Sequence, residues 1–201
     1  MSSRYYATVY DIVKPIATFL HPIRVEGLEN LPQGEPLLLC PNHSSNWDPI
    51  LLMCALGRSV NLRIMGKNQL FKIPILRTFL RKMGVFPVDR GHSDIGAVKT
   101  SIQALRDGDL LMVFPEGTRV RKKNRGVRPK GGVATMAIRG GAKLMPIYIG
   151  TKKRLFAPVP IIFGKPFAPE YTGRKGTAEE YQANADKVMR QAYVLGGEAW
   201  T

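Results

Sequence analysis

Apolar runs that do not alternate with polar residues constrain this chain most. Leu37-Leu38-Leu39-Cys40, Leu110 to Phe114 and Leu144 to Ile149 are short and almost wholly apolar. Runs of this length read as buried strands rather than helices. Stretches with helical spacing separate them, with Gly57, Gly108 and Gly140-Gly141 as stop signals. Strands alternating with helices predict one α/β sandwich with a largely parallel central sheet flanked by helices. Residues 1–22 are set apart as an amphipathic, interfacial helix, and 23–201 as the main domain. Pro15 should kink or split that helix. The proline-broken stretch Phe156 to Phe163 reads as extended chain at a sheet edge.

The loop after the first buried run, Pro41-Asn42-His43-Ser44-Ser45-Asn46-Trp47-Asp48-Pro49, holds the residues best suited to chemistry. Asp48-Pro49 has the form of an N-cap and first helical residue. On a continuous helix His43 and Asp48 would lie about 140° apart, whereas a loop folding back could join them. A histidine near neutral pH accepts a proton, and an aspartate on its other nitrogen fixes the tautomer. No G-x-S-x-G elbow supplies a serine nucleophile. The three histidines and two cysteines have no metal-ligand spacing. The simplest scheme left is deprotonation of a substrate hydroxyl by His43; the bland alternative is a hydrogen-bonded structural histidine.

Arg90 and Arg119 each follow a strand in a loop with glycine neighbours, where a guanidinium fork suits phosphate oxygens. Gly117 would let backbone amides approach an anion. Glu116 would repel phosphate, so it is expected to orient an arginine through an ion pair. The segment Arg119 to Lys130 carries seven basic residues, and the whole chain has a formal net charge of +15. Such a surplus calls for an anionic partner. No nucleic-acid-binding motif accompanies it.

No apolar run is long enough to span a bilayer, and no signal peptide is recognisable. Cys40 and Cys54 sit in apolar runs and read as reduced thiols. Two stretches suit a membrane surface: the first helix, with Tyr6 and Tyr10 as headgroup-level rings, and residues 70–83. In the latter Phe71 and Phe79 are apolar contacts, and Arg77 and Arg81 lie on a basic face. The plainer alternative for both is an ordinary helix with its apolar face packed on the domain.

Four segments together carry a family resemblance. Asn42 to Asp48 has a histidine, four residues and an aspartate. Gly84 to Arg90, Phe114-Pro115-Glu116-Gly117-Thr118-Arg119 and Met145-Pro146-Ile147-Tyr148-Ile149 follow in order. From about residue 36 to 166 the chain resembles the glycerolipid acyltransferases, nearest the 1-acylglycerol-3-phosphate acyltransferases. The resemblance implies His43 as base and Asp48 as its partner. It implies Arg90, Glu116, Gly117, Arg119 and Lys130 at the acceptor phosphate, and Pro146 on the acyl-donor side. It also implies no cofactor beyond acyl-CoA or acyl carrier protein as co-substrate, and a lysophospholipid acceptor. With that acceptor it implies a peripheral, monotopic protein on the cytoplasmic face of an anionic phospholipid membrane. Val120 and Pro87 depart from the usual pattern and leave acceptor identity open. Glycerol-3-phosphate or another lyso-lipid, or a basic lipid- or nucleic-acid-binding module without catalysis, are the alternatives.

Overall fold

A computed structural model describes residues 4–89, 94–121 and 126–200. Helix α1 (Arg4–Leu20) leads into β1 (Ile23–Glu26), then β2 (Leu37–Pro41) and α2 (Asp48–Leu56). β3 (Leu62–Lys67), α3 (Pro74–Lys82), β4 (Val85–Val88), α4 (Ile95–Arg106) and β5 (Leu110–Met112) follow. The chain closes through α5 (Gly132–Gly140), β6 (Lys143–Ile149), β7 (Val159–Phe163) and α6 (Ala178–Leu195). The seven strands form one sheet in the order β1-β7-β6-β2-β5-β3-β4. Among these described strands every pairing is parallel except β6 with β7.

The apolar runs are explained by this layering. Leu37 and Leu39 of β2 face one core with α1 and α2, and Leu38 and Cys40 face a second with α4, α5 and α6. Parallel strands covered on both faces have no solvent side on which to place polar residues. Both cysteines are buried and unpaired. Helix ends follow local chemistry. Asp94 accepts the Ala97 amide at 2.8 Å. Thr177 and Glu180 close a reciprocal capping box at the start of α6.

Three expectations need correction. Helix α1 is not split at Pro15, which lies on its exposed side. Strand β7 is not at an edge, because it pairs with both β1 and β6. Its Pro160 gives no N–H to β6, while the Gly150 amide still donates to the Pro160 carbonyl at 2.9 Å. Finally, Tyr6 and Tyr10 turn inward. Both are buried on α2, with hydroxyls at 3.3 Å from the Gly57 and Cys54 carbonyls. These carbonyls end α2 without an intrahelical donor, so the phenols satisfy groups that would otherwise be orphaned.

Helix α3 behaves differently. None of its residues is buried, and Ile75 is 86% exposed. Phe79, Arg77 and Arg81 are exposed as expected, whereas Phe71 is buried and is no surface contact. No described helix is long and apolar enough to cross a membrane.

Candidate active site

β2 and β5 are parallel neighbours, so the loops leaving them emerge at the same carboxyl end of the sheet. The two loops are stitched together around His43. Its backbone N–H donates to Glu116 Oε2 at 2.8 Å, and its carbonyl accepts the Val120 amide at 2.7 Å. Its ring stacks on Phe114, centroids 4.0 Å apart. Asn42, just before it, clamps β2 to β6 by accepting the Ile149 amide at 2.6 Å and donating to the Ile149 carbonyl at 3.0 Å.

The chain between His43 and Asp48 folds back. Asp48 opens α2 with Pro49 behind it, but Trp47 occupies the cap position and Asp48 does not cap the helix. Its Oδ2 instead takes His43 Nδ1 at 2.9 Å and the Ser44 and Ser45 amides at 2.6 and 2.7 Å. Its Oδ1 lies 2.6 Å from Lys153 Nζ. That ammonium also donates to Ser44 Oγ at 2.8 Å and to the Gly150 carbonyl at 2.6 Å, which fixes it beside the carboxylate. Burial pushes the Asp48 carboxyl up, but the His43 bond, the Lys153 charge and the Ser45 amide outweigh it and hold the group below its ordinary value. An ionised Asp48 places the imidazole proton on Nδ1 and leaves Nε2 as the basic nitrogen.

Glu116 does not orient an arginine. It is buried, with Oε2 on the His43 amide and Oε1 accepting the Tyr193 hydroxyl at 2.6 Å. Two neutral donors do not repay its desolvation, and its pKa is pushed up to about 7 by burial, with the nearby Asp48 charge adding to the rise. Gly117 adopts φ +65°, and the Lys130 side chain crosses it so closely that a Cβ there would meet Lys130 Cε at 3.2 Å. Arg119 reaches the first loop through a 2.9 Å bond to Asn46 Oδ1. Arg90 lies outside the described residues. Pro146 is buried in β6, its ring against Gly164 and beside Leu195 of α6, so any part it has toward a donor is as a support within the strand.

An apolar groove of about 920 Å³ opens beside Phe114 between α4 and α5. Val98, Ile102, Val133 and Met136 line its walls, and Lys99, Lys130 and Arg139 stand among them. Lys153 and Tyr193 are the site residues that sequence reading misses, since neither belongs to a local pattern and each arrives from a distant segment.

A buried imidazole–carboxylate pair thus sits at the strand ends, and Phe114, on which the imidazole stacks, also lines the apolar groove. Comparison makes the class specific. Residues 22–150 match the family described as Acyltransferase, and the chain belongs to that family. It is 31% identical over 166 residues to the 1-acyl-sn-glycerol-3-phosphate acyltransferase of Bacillus subtilis, covering 80% of this chain and 81% of the relative. It is 35% identical over 137 residues to a chloroplastic enzyme of the same description from Arabidopsis thaliana, covering 66% of this chain but 37% of that one. The fold matches the crystal structure of the 1-acyl-sn-glycerophosphate acyltransferase of Thermotoga maritima with a TM-score of 0.73, at 21% identity, over 100% of this chain and 86% of that one.

Proposed function

We propose that this acyltransferase moves an acyl group from a thioester, acyl-CoA or acyl carrier protein, to the free hydroxyl of 1-acylglycerol-3-phosphate, giving phosphatidate. The observation that carries this reading is the 2.9 Å His43–Asp48 contact, which engages Nδ1 and leaves Nε2 basic. Nε2 takes the proton of the acceptor hydroxyl as its oxygen attacks the thioester carbonyl. The tetrahedral intermediate collapses with cleavage of the C–S bond. The proton on Nε2 passes to the departing thiolate, so free thiol and ester are the products. Base catalysis of this kind contributes about 10²–10⁴ in rate.

Acceptor recognition falls to the loop after β5. Arg119, Gly117 and Lys130 lie next to the His43 loop and suit a phosphate monoester, with Arg90 a further candidate. Holding that phosphate fixes the hydroxyl at the base, and such positioning is worth up to about 7–11 kcal/mol. The groove beside Phe114 is apolar enough for an acyl chain, and its cations suit an acidic carrier. The exposed basic helix α3 favours docking on the anionic cytoplasmic leaflet.

Release of free thiol from acyl-CoA on addition of lysophosphatidate is the assay. His43→Ala is expected to lose turnover by at least about 10²-fold with its circular dichroism unchanged. Near-normal transfer by that variant would refute the mechanism.

A further inference from the structure

The outward side of α1 presents Ile12, Ile16 and Phe19 in register, all exposed. Phe19, 70% exposed, meets Phe156 edge-on with ring centroids 5.4 Å apart. Phe156 and Leu155 are themselves 61% and 62% exposed. Among the described residues, Phe156 is the one non-glycine with positive φ, at 60°. A side chain there crowds its own backbone, so the conformation persists only where the surroundings impose it.

They do impose it. The Phe156 amide donates to the Leu20 carbonyl at 2.8 Å, and the Ala157 amide to the Arg154 carbonyl at 3.3 Å. His21 Nδ1 lies 3.3 Å from that same carbonyl, while its ring packs on Trp47. Three residues before Phe156, Lys153 is fixed against Asp48 and Ser44. The loop is therefore anchored from inside, with its two large apolar side chains held outward in water.

Exposed cations flank this tip, Lys152 and Arg154. At the other end of α1, Tyr5 packs on Phe79, ring centroids 6.4 Å apart, and Lys82 stands 4.9 Å over the Tyr5 ring. An apolar ridge about 21 Å long from Tyr5 to Phe19, by the helical rise per residue, thus has basic groups at both ends. Such a ridge complements an anionic lipid surface, with cations at headgroup level and rings below them.

We propose that the Gly150–Ala157 loop is a lipid-contact element, in which Leu155 and Phe156 extend the α1 ridge into the apolar layer of an anionic bilayer. Its purpose rests on the acyl-transfer reading, since the same loop holds Asp48 and would seat the dyad at the bilayer surface.

The test uses the full chain and its L155S/F156S variant with phosphatidylglycerol–phosphatidylcholine vesicles. Sedimentation is expected to show partitioning at least about tenfold weaker in the variant. Turnover of a short-chain lysophosphatidate below its micellar concentration is expected to stay unchanged. Equal partitioning overturns the proposal. So does a matching loss of turnover on the dispersed acceptor, which would make the loop a support of the dyad alone. Self-association of the wild type that the variant abolishes overturns it too, by assigning the ridge to a second copy. Should the serine variant not fold, Phe156→Trp takes its place. Brominated lipid is expected to quench its fluorescence beyond the wild-type background, and no added quenching overturns the proposal. If the wild type transfers no acyl group yet partitions by way of Phe156, the acyl-transfer reading fails while the lipid contact stands.

Discussion

Asp48 and Glu116 are both buried and both touch His43, one at the imidazole and the other at the backbone amide. Their charge states are nevertheless driven apart. Asp48 has a lysine against one oxygen and three donors on the other, and is held ionised. Glu116 has only a phenol and an amide, and its pKa rises to about 7. The difference teaches that burial alone assigns no role to an acid: the donors that accompany it into the core do. An ionised Asp48 orients the His43 imidazole, while Glu116, its pKa raised, braces the His43 backbone with less negative charge.

The strongest way to break this contrast is Asp48→Asn, which keeps the shape and removes the charge. It is expected to lower kcat by about 10³–10⁴, toward the upper end of what a positioned base supplies, with the fold intact by circular dichroism. Unchanged kcat would leave Asp48 a loop support only. Next comes Lys153→Met. Breaking a buried pair from one side costs about 3–5 kcal/mol, measurable by urea unfolding at neutral pH. It also removes one cause of the lowered Asp48 pKa. The stability Asp48 contributes is present above its unfolded pKa and lost as pH falls through the folded pKa, so in the variant that loss is smaller and is complete at a higher pH.

Glu116→Gln probes the other acid. Its folded pKa of about 7 exceeds the ordinary 4.5, so between those values the folded state binds the extra proton. Stability from this group therefore falls as pH rises through that window, by a total on the order of 3 kcal/mol. The glutamine variant is expected to lack this fall when urea midpoints at pH 5 and pH 8 are compared. A wild-type-like fall in the variant would assign the titration to another group. Tyr193→Phe is the smallest change, about 1 kcal/mol for one hydrogen bond. Loss of that donor raises Glu116 further, and the pH window should extend upward.

The fold was legible because its strands are continuous apolar runs, and the pairing of His43 with Asp48 because both lie in one loop. The rest was hidden for physical reasons. Lys153 stands 109 residues from the Ser44 it bonds, and Tyr193 stands 77 from Glu116, so no local period announces either. Helical spacing identified α1 as a helix, but not that Tyr6 and Tyr10 would turn inward while Ile12 and Ile16 face out. Their hydroxyls answer the free carbonyls of another helix, a partner that no pattern within α1 encodes. For α3 the same kind of pattern names an apolar face that the core leaves uncovered.

Pro160 is the most instructive misreading. In the antiparallel ladder the Gly150 amide bonds to Pro160, and the return bond would run from residue 160 to the Gly150 carbonyl. Proline has no hydrogen to give, and Lys153 supplies one to that carbonyl at 2.6 Å. A missing strand donor thus becomes a vacant coordination place for an ammonium that has left water behind. The defect in the sheet acts as a piece of solvent built into the protein, and it lets a cation sit beside Asp48 deep enough to keep the aspartate charged.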